Sequence, residues 1–260
     1  GMLTLRKVRV HDAERWGIAL AATAHAVLDD VEVMRSIIGL RAAEGATLQC
    51  ERSRFADCAT ANIELLDIGG ARFSDCHVTG GDWAGVWLHP GHGTSFRGGQ
   101  VGGSRQACVM VEAGREVALH GVGIGPSHEG GGLFIAAGAE VKVEQVFVSG
   151  LAMAGVELRG STLIASDLRV RGSLEGILVR DGARFVGHRI DLAELRGSGF
   201  WLVTGMAVIA GLGLRKAAFG VVVGTDACLL VQNFVCAHTP VAAQVEGGRL
   251  AIAGRITLGT

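Results

Sequence analysis

Five side chains that can transfer protons or bind a metal lie just after the equivalent predicted strand in successive segments of this chain. They are Glu44, Asp67, His89, His92 and Glu112. Histidine and carboxylate groups together can act as general base and general acid, or as ligands of a metal ion. A solvent-facing turn also carries such polar residues, so the sequence leaves both interpretations open. No spacing among them requires a metal, and we predict no cofactor.

The element that positions these residues is a repeat of the form Gly-apolar-x-apolar, which returns roughly every 22 residues along the whole chain. A fixed period of this length with strand-type alternation is typical of a solenoid built from stacked coils. Three coils have another residue in place of the glycine: Asn62, Cys108 and Ala242. The repeat begins at these glycines: Gly17, Gly39, Gly85, Gly132, Gly155, Gly176, Gly199 and Gly220.

Each repeat contains three short apolar runs with period-two alternation, separated by turns that commonly contain glycine. We therefore predict an all-β fold, a single domain over residues 1–260, with about eleven coils of three strands each. The pattern resembles that of the right-handed parallel β-helix superfamily, the pectate-lyase-like fold. A ladder of stacked apolar side chains is expected inside: Ile18, Leu40, Ile63, Val86, Val109, Leu133, Val156, Ile177, Phe200 and Val221.

Enzymes of this superfamily carry Asp, Lys and Arg, sometimes with calcium, at outward positions of one sheet. The outward position here is the x of the repeat, and we call this series the outward column. It contains no cluster of carboxylates, which argues against that chemistry on this face. Gly91-His92-Gly93 resembles a polygalacturonase motif, but it follows the strand that it should precede. The outward column reads Ala19, Arg41, Glu64, Trp87, Met110, Phe134, Glu157, Leu178, Trp201, Val222 and Gln244.

Much of the outward column is apolar, although it should face water. We expect six of its residues to bind a partner: Trp87, Met110, Phe134, Leu178, Trp201 and Val222. The third strand shows a similar series in Ile164, Val186, Ile209 and Leu230. Contiguous apolar surface usually marks an interface, here with a second copy, another protein or sugar rings. The sequence therefore favours a non-catalytic interaction or scaffold module, which associates with itself as a homo-oligomer or with a partner protein. The alternative is a polysaccharide-active lyase, epimerase or hydrolase.

Composition excludes several other classes of function. The formal net charge is −1, which gives no electrostatic basis for binding nucleic acid or an anionic membrane. The 6 cysteines form no CxxC pair, so we expect buried free thiols and a cytoplasmic location, with secretion as the alternative if a leader was removed. The strand-like residues at 3–5 and 256–258 are not accompanied by a capping helix. This predicts that the chain is a fragment of a longer protein or that a partner covers the ends of the solenoid.

Overall fold

The computed structural model describes residues 1–89 and 92–259, and regular structure in that part consists of β-strands. No helix among these residues is long and apolar enough to cross a bilayer. The earlier coils have three strands each: β1 (Met2–Arg6), β2 (Arg9–His11), β3 (Trp16–Leu20), β4 (His25–Asp29), β5 (Glu32–Met34), β6 (Ile38–Ala43), β7 (Thr47–Glu51), β8 (Arg54–Ala56), β9 (Ala61–Leu66), β10 (Gly70–Ser74), β11 (His77–Thr79), β12 (Ala84–Leu88), β13 (Thr94–Arg97), β14 (Gln100–Gly102), β15 (Ala107–Glu112), β16 (Val117–His120), β17 (Gly123–Ile124), β18 (Gly131–Ala136), β19 (Glu140–Glu144), β20 (Phe147–Ser149), β21 (Val156–Arg159), β22 (Thr162–Ser166), β23 (Arg169–Arg171) and β24 (Ile177–Arg180).

In the later coils the first two strands of each coil are fused into one long strand. These coils contain β25 (Arg184–Ala193), β26 (Ser198–Leu202), β27 (Gly205–Arg215), β28 (Phe219–Val223), β29 (Ala227–Ala237), β30 (Val241–Val245) and β31 (Arg249–Gly259). The strands form two parallel sheets. An 11-stranded sheet contains every Gly-apolar-x-apolar strand from β3 to β30, and a 20-stranded sheet contains the others.

The predicted internal ladder is confirmed. Ile18 pairs with Leu40, Leu40 with Ile63, and the pairing continues in the same register to Phe200 and Val221. These side chains are at most 5% exposed and belong to one core cluster that runs along the chain. Because each coil stacks like residues on like residues, the outward column is in register as well.

The repeated glycine of the pattern is explained by close stacking. A Cβ added at Gly85 would lie 2.7 Å from the carbonyl oxygen of Cys108, which is the equivalent position one coil further on. The same clash would occur at Gly17 with Gly39 at 2.8 Å, and at Gly199 with Gly220 at 2.7 Å. Backbone at these positions is not left-handed, so the requirement is for space rather than for a positive φ.

Two expectations need correction in the long-strand coils. Ile209 is 1% exposed and points inward, whereas its neighbour Val208 is 38% exposed and pairs with Val186 and Leu230. The turn before β27 is one residue shorter than the turn before β25, so Gly205 already lies in the strand. A one-residue shift of this kind reverses the face to which each following side chain points. Cys228 is exposed, whereas the remaining cysteines are buried as expected.

Candidate functional site

The outward column is continuous, but its apolar residues are less exposed than the sequence predicts. Met110 and Val222 are only 5% and 6% exposed and so offer almost no surface to a partner. Trp87, Phe134, Leu178 and Trp201 are half-buried. The neighbours explain this burial, since Met110 packs with Ala84 and Ala107 in a small cluster outside the solenoid, against which Trp87 and Phe134 also pack.

A groove of about 420 Å³ lies over this part of the column, and we call it the Phe134 groove. Its floor is apolar and its sides carry guanidinium and carboxylate groups. It therefore offers flat apolar surface together with hydrogen-bond donors and acceptors. The side chains lining it include Trp83, Arg105, Met110, Glu112, Glu129, Phe134, Met153, Glu157 and Arg159.

Ion pairs hold both sides of the Phe134 groove. On the side before the strands, Arg105 Nε donates to Glu129 Oε2 at 2.9 Å. On the other side, Arg159 Nε donates to Glu157 Oε1 at 2.7 Å, and the guanidinium lies 5.0 Å from the centre of the Phe134 ring. Arg159 was not among the residues that the sequence singled out. The signal was present, since opposite charges recur one coil apart at Arg105 and Glu129 and two residues apart at Glu157 and Arg159.

His89 and Glu112 form a contact at the end of the groove. His89 Nδ1 lies 3.2 Å from Glu112 Oε2, and the same oxygen accepts a hydrogen bond from Trp87 Nε1 at 3.1 Å. The Trp87 and His89 rings lie 5.4 Å apart. The carboxylate thus orients an imidazole that is 51% exposed, which is the arrangement needed by a general base.

The other predicted catalytic residues do not join this pair through side-chain contacts within the described ranges. Glu44 and Asp67 are exposed, with positive φ values of 43° and 47° in their turns. His92 Nδ1 accepts the backbone N–H of Arg115 at 3.3 Å. Gly91, in the glycine-histidine-glycine tripeptide, lies outside the described residues. Residues 1–89 and 92–259 contain no group of three or more His, Cys, Asp or Glu placed to hold a metal.

Glu64 is the residue whose importance sequence reasoning missed. It lies in the outward column between Arg41 and Trp87 and is only 7% exposed. Burial raises the pKa of Glu64, while the positive charge of Arg41 and the neighbouring His89 oppose that rise. Arg41 Nε lies 3.2 Å from Glu64 Oε2. The structure therefore places a carboxyl group with a raised pKa beside the His89–Glu112 pair.

A smaller groove of about 260 Å³ lies further along the same face. Trp201, Val222 and Phe219 line it together with Gln244 and Glu175. Burial raises the pKa of Glu175, and hydrogen bonds from the Ser198 backbone and side chain oppose that rise. Aromatic and polar groups are thus combined twice along the outward column.

Comparison with known proteins bears on the fold. No family model matches this chain, and no curated protein matches it. The structure of periplasmic alginate epimerase AlgG superposes with a TM-score of 0.68 and 11% identity, over 99% of this chain and 75% of that one. This protein is a parallel β-helix. Tailspike protein 2 from Escherichia coli O157:H7 bacteriophage CAB120 gives a TM-score of 0.60 and 10% identity, over 86% of this β-helix and 35% of the tailspike chain.

A third β-helix structure, the Agl-KA catalytic domain, gives a TM-score of 0.52 and 8% identity, over 99% of this chain and 62% of that one. At these identities the likeness shows the shared fold alone. Function must therefore be argued from the grooves and side chains of this β-helix.

Proposed function

We propose that this β-helix binds a polysaccharide in the Phe134 groove. The observation that carries the proposal is the combination of a half-buried aromatic floor with arginine and glutamate on both sides. Aromatic rings provide flat apolar area for the apolar face of a sugar ring, and the charged side chains provide donors and acceptors for its hydroxyl and carboxylate groups.

A sugar ligand suits this face better than a protein partner. A protein interface needs exposed apolar anchors, yet Met110 and Val222 are buried. The surface over Phe134 is concave and lined by five charged side chains: Arg105, Glu112, Glu129, Glu157 and Arg159. Polymers of sugars are narrow enough to lie in such a groove. One structural neighbour is described as an alginate epimerase, which supports testing an acidic polysaccharide first.

Binding is tested by affinity electrophoresis and calorimetry with alginate and a panel of other acidic and neutral polysaccharides. We expect one or more to bind the chain, and Phe134→Ala and Arg159→Ala each to weaken that binding at least tenfold. Val208→Ala, an exposed substitution on the other sheet, is the matched control and should bind like the parent chain. Absence of binding across the panel would contradict the proposal. So would binding by both groove variants that is as tight as binding by the parent chain.

A second candidate function is acid–base turnover of the bound polysaccharide, and a specific observation favours it. Burial raises the pKa of Glu64, whereas Glu112 accepts a hydrogen bond from Trp87 Nε1 and lies 3.2 Å from His89 Nδ1. Two titratable groups held in different environments are the usual basis for assigning an acid and a base. Here His89, oriented by Glu112, would remove a proton and Glu64 would supply one.

Turnover is tested on any polysaccharide that binds. Product is followed by absorbance of unsaturated sugars, by reducing ends and by nuclear magnetic resonance of inverted stereocentres. His89→Gln should abolish product formation while leaving binding within about twofold, because the substituted side chain lies at the end of the groove. A bound polysaccharide that yields no product by any of the three assays would leave binding as the whole function.

A further inference from the structure

Two cysteines are in contact inside the solenoid rather than on its surface. Cys50 lies on β7, and Cys76 lies at the corner between β10 and β11 of the next coil. Their sulfur atoms are 3.7 Å apart. Cys50 is fully buried, Cys76 is 5% exposed, and both belong to the main core cluster. Neither thiol lines a groove of the outward column.

The fold brings this pair together because one strand and one corner repeat in each coil. Cys50 pairs with Phe73 on the neighbouring strand. After Phe73 the chain turns at Asp75, whose φ is 52°, and the side chain of Cys76 is buried just beyond this turn. Cys76 occupies the corner position that Ser53 has in the preceding coil. The contact thus joins two residues that are 26 apart in the chain and lie in adjacent coils.

Core packing does not require sulfur at these two positions. Leu28 stands at the Cys50 position in the preceding coil, and Val146 stands at the Cys76 position three coils further on. Both aliphatic side chains are buried. Cys76 Sγ also lies 3.5 Å from the carbonyl oxygen of Cys50. Two cysteines at contacting positions therefore point to chemistry between their sulfur atoms.

A disulfide between the two residues needs only a small movement. The sulfur atoms of a disulfide are about 2.0 Å apart. From their separation of 3.7 Å the two thiols would have to approach by less than about 2 Å. Rotation about the two Cα–Cβ bonds moves the sulfur atoms while leaving the paired strands in place. We propose that Cys50 and Cys76 form a disulfide that joins two adjacent coils when the chain folds in an oxidising environment.

The reaction consumes one molecule of a disulfide oxidant, of which oxidised glutathione is an example. The hydrogen bond with Cys50 lowers the pKa of Cys76, against the effect of burial, so Cys76 is the thiol that attacks. Its thiolate forms a mixed disulfide and releases one glutathione. Cys50 then loses its proton, displaces the second glutathione and forms the bond between the coils. The protein loses two hydrogen atoms, and the oxidant is reduced to two thiols.

Burial places this reaction in the folding of the chain. The folded interior excludes a molecule of the size of glutathione from side chains that are at most 5% exposed. The following coil also stacks closely, since a Cβ added at Gly99 would lie 2.1 Å from the carbonyl oxygen of Cys76. Before that coil is in place, Cys76 is at the open end of the solenoid. The same burial afterwards protects the finished disulfide from reduction by free thiols.

The test compares the full chain refolded from urea with a mixture of oxidised and reduced glutathione and the chain refolded with reductant alone. Remaining thiols are alkylated with iodoacetamide in urea, and the intact mass is measured. We expect alkylation at four of the 6 cysteines after oxidative refolding, since the disulfide removes two, and at all 6 otherwise. Trypsin separates Cys50 from Cys76, because it cuts after Arg52. The two peptides should be recovered joined to each other.

Thermal stability provides an independent measurement. The bond closes a loop in the unfolded chain, so the oxidised parent should unfold at a midpoint roughly 5–10 °C above that of the reduced parent. Cys76→Ser places at this corner the residue of the preceding coil and should show the same midpoint in both buffers. Cys228→Ser removes an exposed thiol and should behave like the parent chain. Circular dichroism establishes that both variants are folded.

Two results would overturn the proposal. One is a parent chain in which all 6 cysteines are alkylated after oxidative refolding. The other is a set of linked peptides in which Cys50 and Cys76 are joined to other cysteines rather than to each other. Neither result bears on polysaccharide binding, because no ligand takes part in the experiment.

Discussion

Substitution of Gly85 by alanine tests the explanation of the sequence repeat. The added Cβ would lie 2.7 Å from the Cys108 carbonyl oxygen and 2.9 Å from both Ser104 Oγ and Val101 Cγ1. Asn62 and Cys108 occupy the same position in neighbouring coils, so the backbone can adjust, and the cost is that of overpacking a filled interior. We expect Gly85→Ala to reduce the free energy of unfolding by about 1–3 kcal/mol.

The matched control is Gly123→Ala, in strand β17. A Cβ there meets nothing closer than 3.7 Å, and the backbone is not left-handed. Replacing glycine at such a site restricts the unfolded chain, so this variant should be neutral or more stable by up to about 1 kcal/mol. The two substitutions add the same methyl group and are expected to change stability in opposite directions.

Urea denaturation followed by circular dichroism and tryptophan fluorescence measures both variants against the parent chain. A lower midpoint for Gly85→Ala with an unchanged or higher midpoint for Gly123→Ala is the expected result. Equal midpoints for the two variants would refute the reasoning, because space at the stacking position would then not be the reason for the glycine.

Two further predictions concern buried polar groups. Because burial raises the pKa of Glu64, ionisation of its carboxyl costs folded-state stability as pH rises through the unfolded and then the folded pKa. Glu64→Gln should therefore be more stable than the parent chain at pH near 7 and equally stable below about pH 3.5. Urea denaturation curves at both pH values measure this, and a variant that is less stable than the parent at neutral pH would contradict it. Asn62 accepts the Cys58 N–H at 3.2 Å and donates to the carbonyl oxygens of Thr79 and Gly80. Asn62→Ala should cost about 1–3 kcal/mol by the same assay, and no change in midpoint would show those groups find other partners.

The sequence was a good guide to the fold because the determining interactions repeat. Stacking places equivalent residues on one another, so one pattern predicts the inside ladder from Ile18 to Val221. It failed where one turn is shorter by a residue, at Ile209, because a period-two pattern contains no information on such a shift.

The site was harder to predict because its properties arise from contacts across coils. The sequence brought His89 and Glu112 to one edge, and the structure places them 3.2 Å apart. The burial of Met110 depends on Ala84 and Ala107 leaving room beside it, and the burial of Glu64 also depends on its surroundings, which a list of outward positions does not contain. The concave shape of the Phe134 groove likewise depends on the three-dimensional positions of its side chains and could not be predicted from their order in the sequence.

The uniform stacking of coils has a consequence for how the chain folds during synthesis. Leu3 pairs with Ala26, and Phe200 pairs with Val221, so partners are separated by nearly one repeat wherever they lie. Each new coil therefore closes a loop of similar length at a similar entropic cost and needs only the coil before it as a template. We expect the coils to fold one after another as the chain leaves the ribosome. Only the strand edge of the last folded coil would then be unpaired and need protection by chaperones.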